Sequence, residues 1–270
     1  SWRFLYDTQF AVIDDFLVFK FWAGEQLAYM MPVGNGDLKA VLRKLIEDAD
    51  KEKHNFCMLG VCSNMRADLE AILPERFIFT EDRAYADYIY LRSDLATLKG
   101  KKFQAKRNHI NRFRNTYPDY EYTPITPDRI QECLDLEAEW CKVNNCDQQE
   151  GTGNERRALI YALHNFEALG LTGGILHVNG KIVAFTFGMP INHETFGVHV
   201  EKADTSIDGA YAMINYEFAN RIPEQYIYIN REEDLGIEGL RKAKLSYQPV
   251  TILEKYMACL KDHPMDMVRW

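Results

Sequence analysis

Asn179 and Gly180 separate two β-rich runs, residues 173–178 and 181–189. Asn-Gly supplies the two positive-φ positions of a tight hairpin turn, so these segments predict an antiparallel hairpin. A definite order builds around it. YEYTPI (120–125) reads as a short strand. Thr126 is placed to cap a helix with Pro127 at its first position, and Ile130, Leu134, Leu136, Trp140 and Cys141 recur at helical spacing over 127–143. A second helix is expected over 154–168, stopped by Gly170. After the hairpin come a strand (194–202), a helix (206–221), a strand (225–230), a helix (238–245) and a strand (249–257). The order is β-α-α-β-β-β-α-β-α-β.

The first half repeats the later part of that plan. Strands are expected at 9–14, 15–22 and 27–33. Asp37 caps a helix with Leu38, Val41, Leu42, Leu45 and Ile46 on one face. A strand (56–62), a capped helix (63–73) and strands at 76–80 and 86–91 follow. The expected division is an N-terminal degenerate copy (1–98), a linker helix (99–119) and a full C-terminal copy (120–270). The chain of 270 residues, 47% hydrophobic, suits two such cores. No apolar run reaches the ~18–20 residues that span a bilayer. The six cysteines form no CxxC pair and have no histidine at zinc spacing. Reduced thiols and a cytoplasmic protein are expected, with no integral membrane segment and no metal.

Three stretches carry chemistry. KGKKFQAKRNHINRFRN (99–115) holds seven basic residues and no acidic one, in a chain of formal net charge -8. At helical spacing Phe103, Ile110 and Phe113 turn inward. Lys102, Lys106 and Arg107, with Asn108 and Asn111 between the charges, offer a wall to an anionic substrate. A solvated linker helix is the plainer account. In VHVEKADTSIDGAYAM (198–213) a strand feeds a helix start, whose unpaired N–H groups suit a pyrophosphate. Ser206, Ile207, Asp208, Gly209, Ala210 and Tyr211 are the candidate contacts, with Gly209 allowing close backbone approach. An ordinary capped helix explains the same residues. In NREEDLGIEGLRKAKLSY (230–247) a strand delivers Asn230 and Arg231 to its end, where open α/β sheets place ligands. Asp234 and Lys244 follow on the next turn and helix, and suit that helix's ends as well.

The order of elements is the plan of GNAT-type acyltransferases, and two copies resemble the Fem-like aminoacyl transferases. DLATLKGKKFQAKRNHINRF (94–113) and NREEDLGIEGLRKAKLSYQP (230–249) resemble the two signatures of the phosphatidylglycerol lysyltransferase C-terminal domain family. The resemblance implies an α+β fold of tandem GNAT-like domains, with mixed sheets flanked by helices. It implies an acyltransferase that joins an acyl or aminoacyl group to a small amine or hydroxyl acceptor. It also implies Tyr247 as general acid, since a phenol near pKa ~10 donates rather than removes a proton.

Glu201 and His199 share a strand face by period two and are the candidates for a base. Glu137 and Trp140, on the first helix of the full copy, are candidates for the acceptor site. Backbone N–H groups near Val198 and Val200 are placed to stabilise an oxyanion and to meet a cofactor. Coenzyme A or an acyl-CoA is the preferred donor, because tRNA needs a long basic track and none lies outside 99–115. Two readings compete with it. One is an aminoacyl-tRNA-dependent transferase acting on a lipid headgroup or peptide, with peripheral lipid contact. The other is a ligand-binding or regulatory protein that kept the fold.

Overall fold

The computed structural model describes residues 6–144 and 150–261. The chain forms two compact units. One spans Asp87–Ile252; the other combines the stretch ending at Ala86 with the stretch beginning at Leu253. The division thus falls elsewhere than at 98/99 and 119/120. The sequence marks where strands are but not which strand each one pairs with.

In the smaller unit β1 (Gln9–Ile13), β2 (Phe16–Ala23) and β3 (Gln26–Met30) form an antiparallel meander, and β4 (Val33–Gly34) pairs with β2. Helix α1 (Leu38–Lys51) begins where the Asp37 carboxylate accepts the Ala40 N–H, satisfying one of the free donors of the first turn. It returns the chain to β5 (Cys57–Cys62), which lies parallel to β3. Then follow α2 (Ser63–Ile72), which has no side-chain cap, and β6 (Phe77–Glu81). The place between β5 and β6 is filled by β14 (Lys255–Leu260), antiparallel to both. Val41, Leu42 and Leu45 of α1 pack on Leu27, Tyr29 and Met58 of the sheet.

Cys57 and Cys259 stand opposite each other on β5 and β14, with Cα atoms 4.2 Å apart, and form a disulfide. This corrects the expectation of reduced thiols throughout. A separation of 202 residues leaves no spacing signature, and only the strand pairing brings the two together. Cys62, Cys133 and Cys141 are in no disulfide among the described residues.

The larger unit contains β7 (Asp87–Leu91), α3 (Arg92–Thr97), α4 (Gln104–Thr116), β8 (Glu121–Pro124), α5 (Ile130–Asn144) and α6 (Glu150–His164). The hairpin β9 (Thr172–Val178) and β10 (Lys181–Pro190) turns at Asn179 and Gly180, both at positive φ as expected. After it come β11 (Thr195–Ala203), α7 (Ala210–Ala219), β12 (Tyr228–Asn230), α8 (Glu238–Leu245) and β13 (Thr251–Leu253). The sheet order is β13-β7-β12-β11-β10-β9-β8. The expected strand at 249–257 is in fact two, β13 and β14, and they belong to different sheets.

The basic block forms α4. It is a packed helix of the larger unit, with Ile110 and Phe113 buried against α7 and with Phe103 just before it buried as well. Burying each such side chain contributes about 1.5–3 kcal/mol, which a solvated linker would forgo.

Two irregularities shape the sheet where β11 meets β12. The two strands are parallel, and they pair only at Thr195↔Tyr228, Phe196↔Ile229 and Gly197↔Asn230. Beyond that point β11 runs on beside β10 alone, while the chain leaves β12 at Arg231. The sheet therefore forks there, at a parallel junction. Just past the fork the register with β10 jumps from Gly188↔Val198 to Phe187↔Val200, leaving His199 as an extra residue. Such a bulge re-aims the side chains that follow it.

Candidate active site

Arg231 is the first residue beyond β12, and the fork opens around it. One guanidinium nitrogen, Nη2, donates to Glu201 Oε1 at 3.0 Å. The other carboxylate oxygen of Glu201 accepts from Asn215 Nδ2 of α7 at 3.2 Å. Burial works against the charge on Arg231, but the adjacent Glu201 raises its pKa, so it stays protonated. Both Glu201 oxygens are spent on orienting neighbours. Glu201 is therefore a paired carboxylate and not the free base expected from sequence.

The Tyr247 ring, 5% exposed, packs against two cations: Lys106 Nζ lies 3.9 Å from its centroid and the Arg231 guanidinium carbon 4.9 Å. Burial pushes the Tyr247 phenol above its ordinary pKa, so it holds its proton. Burial, and then the charge of Arg231, pull Lys106 down to about 8. Tyr90 of β7 closes the floor: its hydroxyl donates to the Lys244 carbonyl at 2.8 Å, and Arg231 lies 5.7 Å from its ring centroid.

The loop that presents Arg231 is built by the residues around it. Glu232, Leu235 and Gly236 all have positive φ, so the backbone turns sharply. The Asn230 carbonyl oxygen of the side chain accepts the Glu232 N–H at 2.7 Å, and its amide donates to Asp87. Lys244 Nζ donates to the carbonyls of Arg231, Glu232 and Glu233 at 2.6, 3.2 and 2.5 Å. Asp234, fully buried, accepts from Tyr88 at 2.6 Å, from Arg241 at 2.8 and 2.9 Å and from the Gly236 N–H at 2.8 Å. The paired Arg241 holds the Asp234 carboxyl well below the usual carboxylate range. Asn230, Asp234 and Lys244, expected to contact a ligand, thus spend their polar atoms on the loop.

The bulge at His199 breaks period two. Phe196 and Val198 before it, and Ala203 after it, lie in the core with α4 and α7, and Glu201 turns the same way toward Asn215. Val200 packs in the opposite core, toward α5 and α6. His199 pairs through Nδ1 with Glu232 at 2.6 Å and does not share the surroundings of Glu201.

The start of α7 carries an exposed ion pair. Asp208 pairs with Arg112 at 2.5 Å and lies 3.7 Å from His109. Gly209 adopts φ 85°, and a Cβ there would lie 2.9 Å from the His109 carbonyl oxygen of α4. This glycine is required by the approach of α4. Of its neighbours, the Ser206 N–H donates to Asp204, Ile207 and Ala210 pack in the core, and the Tyr211 hydroxyl accepts from Trp140 at 3.0 Å. Trp140 also carries Lys202 over its ring at 3.6 Å, and buried Glu137 pairs with Arg156 at 3.0 Å.

The basic block contributes less to the site than its charge suggests. Lys102 pairs with Asp94 at 2.8 Å. Arg107 donates to the carbonyls of Leu98 and Gly100, which end α3, and to Gln104. Asn108 accepts from Gln104 at 2.8 Å, and Asn111 lines a separate cavity of about 100 Å³ with Arg114 and Tyr216. Lys106 reaches the fork. Tyr88, Tyr90 and Asn215 were missed from the sequence. Asn215, a polar residue inside the apolar run of α7, is the one with a legible signal.

Three side-chain atoms around the fork are buried without a hydrogen-bond partner among the described residues: Arg231 Nη1, Asn215 Oδ1 and His199 Nε2. Buried polar atoms are normally paired, so each calls for a ligand or water. No group of three or more His, Cys, Asp or Glu among the described residues is arranged to hold a metal. No helix among them is long and apolar enough to cross a membrane.

A family described as phosphatidylglycerol lysyltransferase, C-terminal, matches residues 1–259. An uncharacterized protein of Mycoplasmoides gallisepticum is 25% identical over 177 residues, covering 63% of this chain and 55% of that protein. The match thus spans about half the length of that relative. L-PGS from Bacillus licheniformis superposes with a TM-score of 0.68 at 17% identity, covering 96% of this chain and 86% of that one. A DUF2156 C-terminal domain from Agrobacterium fabrum gives 0.71 at 13%, covering 94% and 83%. A tandem GNAT protein of the clavulanic acid biosynthesis pathway gives 0.51 at 11%, covering 93% and 80%. At these identities the structural likeness establishes the fold: α+β, tandem GNAT-like, with mixed sheets flanked by helices.

Proposed function

The chain belongs to the phosphatidylglycerol lysyltransferase C-terminal family, and from that premise we propose that it transfers an aminoacyl group from an activated ester to an amine or hydroxyl acceptor. The observation that carries this reading is the pair of unfilled polar atoms flanking Glu201. Arg231 Nη1 is a donor and Asn215 Oδ1 an acceptor, and both are buried. An aminoacyl ester has the complementary pair: a carbonyl oxygen that accepts and an ammonium that donates. A simple acyl thioester has no ammonium and would leave Asn215 unpaired, which costs about 1–3 kcal/mol. The reading that favours coenzyme A rests on the start of α7, where Asp208 pairs with Arg112 and the Gly209 backbone packs on His109.

On this reading Glu201 fixes both Arg231 and Asn215, so one carboxylate sets the distance between the two recognition atoms. Tyr247, kept protonated by burial, is the candidate donor to the leaving oxygen. The aminoacyl donor is an aminoacyl-tRNA, and the acceptor is a hydroxyl or amine of a phospholipid headgroup, as the family description suggests. Much of the catalysis is positioning.

The test is a transfer assay. The protein is incubated with tRNA charged with radiolabelled amino acids and with vesicles containing phosphatidylglycerol; a parallel arm uses labelled acetyl-CoA with small amines. Label moving from tRNA to lipid, and lost in Arg231→Met, is expected. Turnover of acetyl-CoA alone would replace the donor, and consumption of neither would leave the ligand-binding alternative.

A further inference from the structure

Resting on that reading, we propose that Lys106 and Arg231 are the two donors that receive the oxyanion formed when the acceptor attacks the donor's carbonyl. Lys106 Nζ lies 3.9 Å from the Tyr247 ring centroid and has no hydrogen-bond or ion-pair partner among the described residues. Lys244 makes the contrast: it is more deeply buried, and its ammonium meets three carbonyl oxygens. Arg231 approaches the same Tyr247 ring, and its Nη1 is unfilled. Two cations therefore converge on one phenol ring with donors to spare.

That arrangement is costly without a ligand. A half-buried ammonium with no protein acceptor gives up part of its hydration, and an aromatic face offsets only part of that cost. Glu201 offsets the charge of Lys106 only in part, since its oxygens accept from Arg231 and Asn215 and its effect on Lys106 is outweighed by burial and Arg231. The lowered pKa of Lys106 reflects the same imbalance. A negative charge arriving between Lys106 and Arg231 relieves both. Donors fixed where charge develops, in a site that excludes water, favour the transition state over the ground state.

The step balances as follows. The acceptor's nitrogen or oxygen lone pair forms a bond to the carbonyl carbon. The π pair of the carbonyl moves onto its oxygen, which accepts hydrogen bonds from Lys106 Nζ and Arg231 Nη1. When that pair returns, the C=O bond reforms, and the bond to the leaving oxygen breaks with its electrons. The proton lost by the attacking atom ends on the leaving oxygen. These side chains take the role assigned from sequence to backbone N–H groups near residues 198–200.

The experiment is a binding titration by calorimetry with a phosphonate monoester, which is tetrahedral and singly charged, against acetate as a planar control. Wild type, Lys106→Met and Lys106→Arg are compared, with thermal melts confirming that each variant folds. The groups facing Lys106 are Arg231, Glu201 and the Tyr247 phenol, and Lys244 lies behind the 231–233 carbonyls and titrates in the same range. Lys244 is common to all three proteins, so the variants isolate Lys106.

Wild type should prefer the phosphonate, and its affinity should fall at least tenfold from pH 7 to 9.5. Lys106→Met should lose at least tenfold at pH 7 and flatten the pH profile. Lys106→Arg should restore affinity without the profile. Equal affinity in wild type and Lys106→Met, no preference over acetate, or no binding by wild type would overturn the proposal. Phosphonate binding that follows Lys106 while no aminoacyl-tRNA is consumed would support the two-cation site and remove the proposed donor. Unchanged aminoacyl transfer in Lys106→Met would do the reverse.

Discussion

Arg231 and Glu201 meet at 3.0 Å on opposite sides of the fork between β12 and β11, and each side chain is nine-tenths buried or nearly so. Their pairing holds the guanidinium at a point where the sheet offers no strand-to-strand bond. Replacing Glu201 by Gln leaves the arginine charge buried and uncompensated. We expect a loss of about 3–5 kcal/mol, the usual cost of breaking one side of a buried pair. Urea unfolding at pH 7 measures it; a loss under about 1 kcal/mol would mean that water reaches the pair.

Lys106 should cost the fold stability at neutral pH. Its folded pKa lies near 8 and its unfolded value near 10.5, so between these the unfolded chain binds more protons and stability rises with pH. Below pH 8 the cost is present in full. Lys106→Met should therefore be more stable than wild type at pH 7, by about 1–3 kcal/mol, with the gap narrowing by pH 9.5. Buried phenols such as Tyr90 and Tyr247 work in the opposite direction only above about pH 10, and they are common to both proteins. Paired urea titrations at pH 7 and 9.5 check the sign. A gap that widens with pH would refute it.

The Cys57–Cys259 bridge ties β5 to a strand 202 residues later. Replacing both cysteines by serine should cost about 2–5 kcal/mol. Under denaturing conditions without reductant, thiol titration should find two fewer reactive groups than with reductant. Equal counts would show the pair reduced.

Legibility differed between local and distant features. The Asn179-Gly180 hairpin, the Asp37 cap and the inward face of α4 were readable, because each depends on residues within a few positions of one another. Arg231 and Tyr247, singled out from one signature, come together in the structure. The bulge at His199 was not: period two puts His199 with Glu201, and only the register against β10 reveals the extra residue. The partners of β7 and β14 were likewise hidden, since an apolar strand carries no label for its neighbour. The roles of Asn230, Asp234 and Lys244 went astray for a related reason. A polar residue that builds a loop and one that binds a ligand look alike until the hydrogen bonds are counted.

The placement of β14 between β5 and β6 sets the order in which the protein can mature on the ribosome. At roughly 5–20 residues per second, β1 to β6 emerge early but face each other across an unfilled place in their sheet. The larger unit has its last strand once residue 253 is out, whereas the smaller one must wait for residue 260. The first-made part of the chain is thus the last to close. In the interval the apolar edges of β5 and β6 are open to other chains, so a nascent chain arrested before β14 is a natural client for a chaperone.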